Sequence, residues 1–71
     1  METKNDKFRR LAELRTRKII EDLVSLAKLS NKKNYIYSDK EIRQIFRAID
    51  EQLKLTKLAF KNQETNTFKL K

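Results

Sequence analysis

Seventy-one residues carry a net charge of +8, from 18 Lys and Arg against 10 Asp and Glu, with no cysteine, histidine, glycine or proline. So short a chain holds one domain at most and buries only about 60% of the surface it exposes when unfolded. Disulfides, and zinc sites built from thiolates and imidazoles, are excluded, so self-association or close helix packing has to make up for a thin core.

The missing glycine and proline predispose the chain to long uninterrupted helices. Turns must then use Asn, Asp and Ser, which cluster between Ser30 and Asp39. The polar lead-in 1–6 does not look like a signal peptide, and no stretch approaches the roughly 20 apolar residues that span a bilayer. A cytoplasmic location and no membrane partner are therefore expected.

Asn5 or Asp6 is placed to cap the first helix. From Lys7, the residues Phe8, Leu11, Ala12, Ile19, Leu23, Leu26 and Leu29 recur at helical spacing and predict a helix over about 7–29. Ile20, Val24 and Ala27 widen its apolar face beyond what one neighbouring helix would cover. Ser30 to Tyr37 breaks the period. Asn31 is a candidate for the left-handed position that glycine normally fills, and Tyr35 and Tyr37 alternate around Ile36 as in a short extended piece. Ser38-Asp-Lys-Glu41 then has the form of a capping box that opens the second helix.

That helix, expected over about 39–60, carries Ile42, Ile45, Phe46, Ile49, Leu53 and Phe60 on one face. The two helices match in length, each close to 35 Å by the usual rise per residue. Laid antiparallel, with Leu29 level with Asp39, they pair residues whose numbers sum to about 68, and their apolar layers coincide. The expected fold is thus all-α: an antiparallel two-helix hairpin domain over 7–60, followed by a mobile polar tail over 61–71. Ile20 and Val24 on the first helix, with Ala48, Leu55, Leu58 and Ala59 on the second, are candidates for a seam. Through it two hairpins would form a homodimeric four-helix bundle, or a different protein would dock. The bland alternative is that these leucines are simply exposed.

Catalysis finds no support in the residues. Histidine and cysteine are absent, a glycine-rich phosphate loop cannot form, and the adjacent pairs Glu21-Asp22 and Asp50-Glu51 point about 100° apart on a helix. No enzyme activity, cofactor or metal is expected. The positive charge favours polyanionic partners, although lysine codons of an AT-rich genome would raise the charge without any such role.

Arg9, Arg10 and Arg17, with Lys28 further along, make the first helix a candidate nucleic-acid face, since arginines on a rigid rod can straddle phosphates without reading sequence. A solvated surface would look the same, because Glu13 and Glu21 lie close to that line. Arg15 interrupts the apolar stripe and wants a mate such as Asp50. Lys32, Lys33 and Tyr35 in the connector combine cations with an aromatic, as single-strand binders do, while tyrosines packed over a hairpin end would leave the same letters.

Three phrases, Phe8-Arg-Arg-Leu-Ala-Glu-Leu-Arg-Thr-Arg-Lys-Ile-Ile20, Leu29-Ser-Asn-Lys-Lys-Asn-Tyr35 and Ile45-Phe-Arg-Ala-Ile-Asp-Glu-Gln-Leu-Lys54, resemble a group of small, largely uncharacterised proteins. They are carried on plasmids and integrative elements of low-GC Gram-positive bacteria. The likeness runs from about Phe8 to Phe60. The group often has Gly-Asn where this chain has Ala27-Lys28. The resemblance implies a cytoplasmic accessory protein of a mobile element and assigns no role to particular positions. Taken together, a regulatory protein that binds nucleic acid through a basic helical face is expected. The alternative is an adaptor or inhibitor of a host or defence factor that makes no nucleic-acid contact.

Overall fold

The computed structural model describes residues 1–69, with side chains described for residues 1–62. It contains two α-helices, α1 over Lys4–Ala27 and α2 over Asp39–Lys69, with a 3-10 turn at Lys28–Ser30, and no strand among the described residues. The chain divides into two units, Met1–Ile36 and the remainder from Tyr37 onward.

α1 begins three residues before the expected Lys7, and its cap is Thr3 instead of Asn5 or Asp6. The Thr3 Oγ1 accepts from the Asp6 backbone N–H at 3.0 Å, and the Asp6 carboxylate accepts from the Thr3 N–H at 3.3 Å. Aspartate at the third helical position closes this box as glutamate usually does, and its charge complements the positive end of the helix dipole.

The α-helical part of α1 ends at Ala27, two residues short of the expected Leu29, where the backbone tightens into the 3-10 turn. Tightened last turns are a common way to satisfy terminal carbonyls, and here the Lys28 N–H is shared among several of them, Val24 and Ser25 included.

Asn31 is not left-handed. Its backbone lies at φ −69°, ψ 101°, and no described residue has a positive φ. The side chain supplies the turn instead. Its Oδ1 accepts from the Lys33 N–H at 2.9 Å, while its carbonyl accepts from the N–H groups of Asn34 at 3.1 Å and Tyr35 at 3.0 Å. Asparagine thereby mimics a backbone turn and makes glycine unnecessary.

Residues 35–38 have no regular structure. α2 then starts at the expected residue. The Ser38 Oγ accepts from the Glu41 N–H at 3.1 Å, and Glu41 Oε1 accepts from the Ser38 N–H at 2.8 Å and from the Ser38 hydroxyl at 3.1 Å. Asp39 and Glu41 place negative charge in the first turn, where the dipole favours it.

α2 continues through Lys69, nine residues past the expected end near Phe60. The apolar stripe fades after Phe60, but no glycine or proline follows to stop the helix. Of the expected mobile tail over 61–71, residues 61–69 continue α2, while Leu70, Lys71 and the side chains from Gln63 onward, Phe68 included, lie outside the described residues.

Each stripe is real at the level of its own helix. Leu11, Ala12 and Leu26 on α1, and Ile42 and Ile49 on α2, are the half-buried apolar positions of the helices. Thr56 falls among the apolar residues of α2, and its hydroxyl donates to the Gln52 carbonyl at 2.8 Å, which leaves its methyl for the stripe. A single helix cannot cover its own face, and no described residue is buried. Phe46 and Leu53 keep about half their surface in water.

Candidate nucleic-acid interface

The capping box at Thr3 fixes the path of the chain just ahead of α1 and brings Glu2 back along the helix to Arg10. Arg10 donates from Nε to Glu2 Oε2 at 2.8 Å and from Nη2 to Oε1 at 3.2 Å. This two-pronged hydrogen bond raises the Arg10 guanidinium above its ordinary pKa, against a small opposing effect of desolvation. Arg17 lies 3.7 Å from Glu13, one turn earlier on the same helix. Two of the three arginines expected to contact phosphate from α1 are therefore already facing carboxylates.

Arg9 is exposed, with no ion pair among the described residues of its unit. Arg15 is likewise exposed and unpaired within its unit, so its place in the stripe is tolerated through an outward-reaching guanidinium. Lys28 opens the 3-10 turn, and Lys32 and Lys33 occupy the asparagine-built turn that follows. Tyr35 is 46% exposed and Ile36 is fully exposed. The cations expected to act with α1 are thus spread over the helix and its exit turn, and its helical part is diluted by acids.

A better aligned arrangement lies on α2, where the sequence points to seam candidates but to no nucleic-acid-binding residue. At helical spacing Lys40, Arg43, Arg47, Lys54, Lys57 and Lys61 fall along one flank, beside the stripe of Ile42, Phe46, Ile49, Leu53 and Phe60. Asp39 and Asp50 are the acids on that flank. Neither forms an ion pair with these cations among the described residues. Asp50, Lys54, Lys57 and Lys61 border one shallow open groove of about 250 Å³ floored by Leu53 and Leu58. All six cations are exposed.

The signal was present in the sequence but hidden by interleaving. The lysines and arginines of α2 stand three, four and seven residues apart with apolar residues between them, so no linear run of charge appears.

Of the residues expected at a seam, Ile20, Val24 and Leu55 each retain 55% of their surface, Leu58 is 40% exposed, and Ala48 and Ala59 are exposed. On α2, Ala48, Leu55 and Ala59 occupy the third sector of the helix, with Gln44, Glu51 and Gln52, and that sector holds no lysine or arginine among the described side chains. α2 thus has three sides: apolar, cationic, and neutral to acidic.

No helix among the described residues is long and apolar enough to cross a membrane, and no group of three or more acids among them could hold a metal ion. In comparisons with protein-family models, curated proteins and solved structures, the chain matches none.

Proposed function

We propose that this chain is a small basic accessory protein that binds nucleic acid through a helical face, and that α2 supplies most of that face. The observation that carries the reading is the cationic flank of α2, six lysines and arginines along one side with no carboxylate in contact among the described residues. Phosphates replace condensed counterions at such a flank, and the release of those ions drives association. The exposed Arg9, with Lys28, Lys32 and Lys33, would add contacts from the first unit. Tyr35 adds a ring on which an unpaired base could stack.

The apolar stripes support a companion reading of the fold. Exposed isoleucines, leucines and phenylalanines along two amphipathic helices are best satisfied by packing α1 antiparallel to α2 as a hairpin, with Ile19 near Ile49 and Leu26 near Ile42. The extra apolar positions Ile20, Val24, Ala48, Leu55, Leu58 and Ala59 then serve a homodimer, since a hairpin of this size has little core of its own. Regulation in replication, transfer or transcription of a mobile element, the context implied by the resemblance of Phe8 to Phe60, suits a protein of this kind.

The test is a titration of the full chain against single- and double-stranded DNA and RNA over a range of salt. Affinity should fall steeply as salt rises. Absence of association with all four at about 50 mM salt, where phosphate-driven binding is strong, would refute the reading. Those same exposed apolar residues favour the second reading, an adaptor or inhibitor that docks on a protein. It predicts one stoichiometric protein partner whose capture is indifferent to nuclease.

A further inference from the structure

The cationic flank of α2 differs from the connector in what it lacks. Between Asp39 and Asn62 that sector contains Lys40, Arg43, Arg47, Lys54, Lys57 and Lys61, with Asp39, Asp50 and Leu58. It has no aromatic ring on which a base could stack and no Asn, Gln, Ser or Thr to read a base edge. The only neutral side chain among the described ones is a leucine. Apart from a guanine edge that Arg43 or Arg47 could reach, the attraction this flank offers a nucleic acid is therefore addressed to phosphate.

Rigidity decides which phosphates. Arg43 and Lys61 are separated by 18 helical residues, so the flank is a straight rod of roughly 27 Å between them. Along a duplex, that length covers about eight base-pair steps and a charge for every 1.7 Å or so of axis. A rigid array of cations gains most from a rigid, dense array of anions. A single strand carries less charge per unit length and releases fewer counterions at each phosphate, and it would have to be ordered along the rod. Its usual compensation, about 1–3 kcal/mol of stacking per base, has no partner on this flank.

We infer that the α2 flank is a track for the phosphate backbone of duplex nucleic acid, indifferent to base sequence. The inference rests on the proposed nucleic-acid function and specifies its substrate class. It also orders the two helices: α2 carries the main electrostatic contact, and α1, where Arg10 and Arg17 face Glu2 and Glu13, is subsidiary.

The experiment measures fluorescence anisotropy of the full chain with two DNA duplexes of unrelated sequence, an RNA duplex and the separated DNA strands, over a salt series. The expected result is equal affinity for the two DNA duplexes and binding to single strands weaker by about tenfold or more. The salt slope should also be steeper for duplexes, by the ratio of about 0.9 to 0.7 per neutralised phosphate. The RNA and DNA duplex arms identify which duplex is preferred, and a preference for either one over single strands supports the inference. Single strands bound as tightly as duplexes, or a clear preference for one duplex sequence, would overturn it while leaving nucleic-acid binding intact.

A pair of triple variants tests the placement. Arg43→Gln, Arg47→Gln and Lys54→Gln together keep good helix formers at exposed positions and should lower the salt slope by about 2.7, which is about 0.9 for each cation removed. Arg9→Gln, Arg10→Gln and Arg17→Gln together should lower it by less, about 1. Retention of helical circular dichroism confirms that both remain folded. An equal or larger drop from the α1 set would overturn the assignment to α2.

Discussion

Glu2 and Arg10 meet in a two-pronged ion pair, with Nε–Oε2 at 2.8 Å and Nη2–Oε1 at 3.2 Å, although eight residues separate them and Glu2 lies outside the helix. The carboxylate takes the same fork of donors that a phosphate would take. Any polyanion approaching α1 at Arg10 has first to displace this internal anion. The pair is solvent-exposed on both sides, so its effect on folding is small, but its effect on the charge available at that end of α1 is not.

Substituting Glu2→Gln removes the competing carboxylate and releases Arg10. The expected outcome is an unchanged thermal midpoint, tighter binding to nucleic acid at low salt, and a salt slope steeper by up to about 0.9. Isothermal or anisotropy titrations over a salt series measure this directly. Binding that weakens on substitution would mean that Glu2 supports the interface instead of masking it.

Among the described residues, the Ser38 box is the most fully bonded start of a helix. Ser38→Ala removes the acceptor for the Glu41 N–H and the hydroxyl donor to its carboxylate, so the start of α2 should lose about 1 kcal/mol. Chemical denaturation followed by circular dichroism measures the loss. A variant with wild-type stability would show that α2 is held from outside its own terminus.

The proposed hairpin can be read by cross-linking, because the chain has no native cysteine to interfere. Ala12→Cys with Thr56→Cys places two thiols level in the proposed register, where oxidation should join them within one chain. Ala12→Cys with Ala48→Cys, out of register and on another side of α2, should not join. Equal cross-linking of both pairs, or none in the first, would rule out that register.

Leu55 and Leu58 bear on self-association. Leu55→Glu with Leu58→Glu should convert a dimer to a monomer, seen by light scattering as a halving of the mass, while the helical signal persists. A wild-type chain already of monomer mass would leave these leucines without the role proposed for them.

What the sequence made legible followed the range of the interaction that decides it. Ser38 and Glu41 close their box within four residues, so spacing alone located the start of α2. The matching box at Thr3 and Asp6 was equally local, but Asp6 invites placement as the cap itself because aspartate is a strong first choice there. Asn31 was correctly expected to turn the chain but by the wrong means, since its side-chain carbonyl does what a left-handed backbone would have done.

The apolar stripe places the end of α2 near Phe60, nine residues too early, because no glycine or proline follows to stop the helix where the stripe fades. The basic face illustrates the same limit. Arginines adjacent in sequence at Arg9-Arg10 catch the eye, yet adjacency scatters side chains around a helix. Lysines and arginines spaced from Arg43 to Lys61 line up only once the helix is formed.

The two reciprocal caps also govern the order of events during synthesis. Each closes among residues that leave the ribosome almost together, so α1 can begin at Thr3 while the second half of the chain is still untranslated. Helices of this kind relax within about a microsecond, far faster than residues are added. An α1 that forms ahead of its partner is an amphipathic rod with its greasy side uncovered, and packing has to supply most of its stability, so whatever covers that side in the finished molecule arrives second.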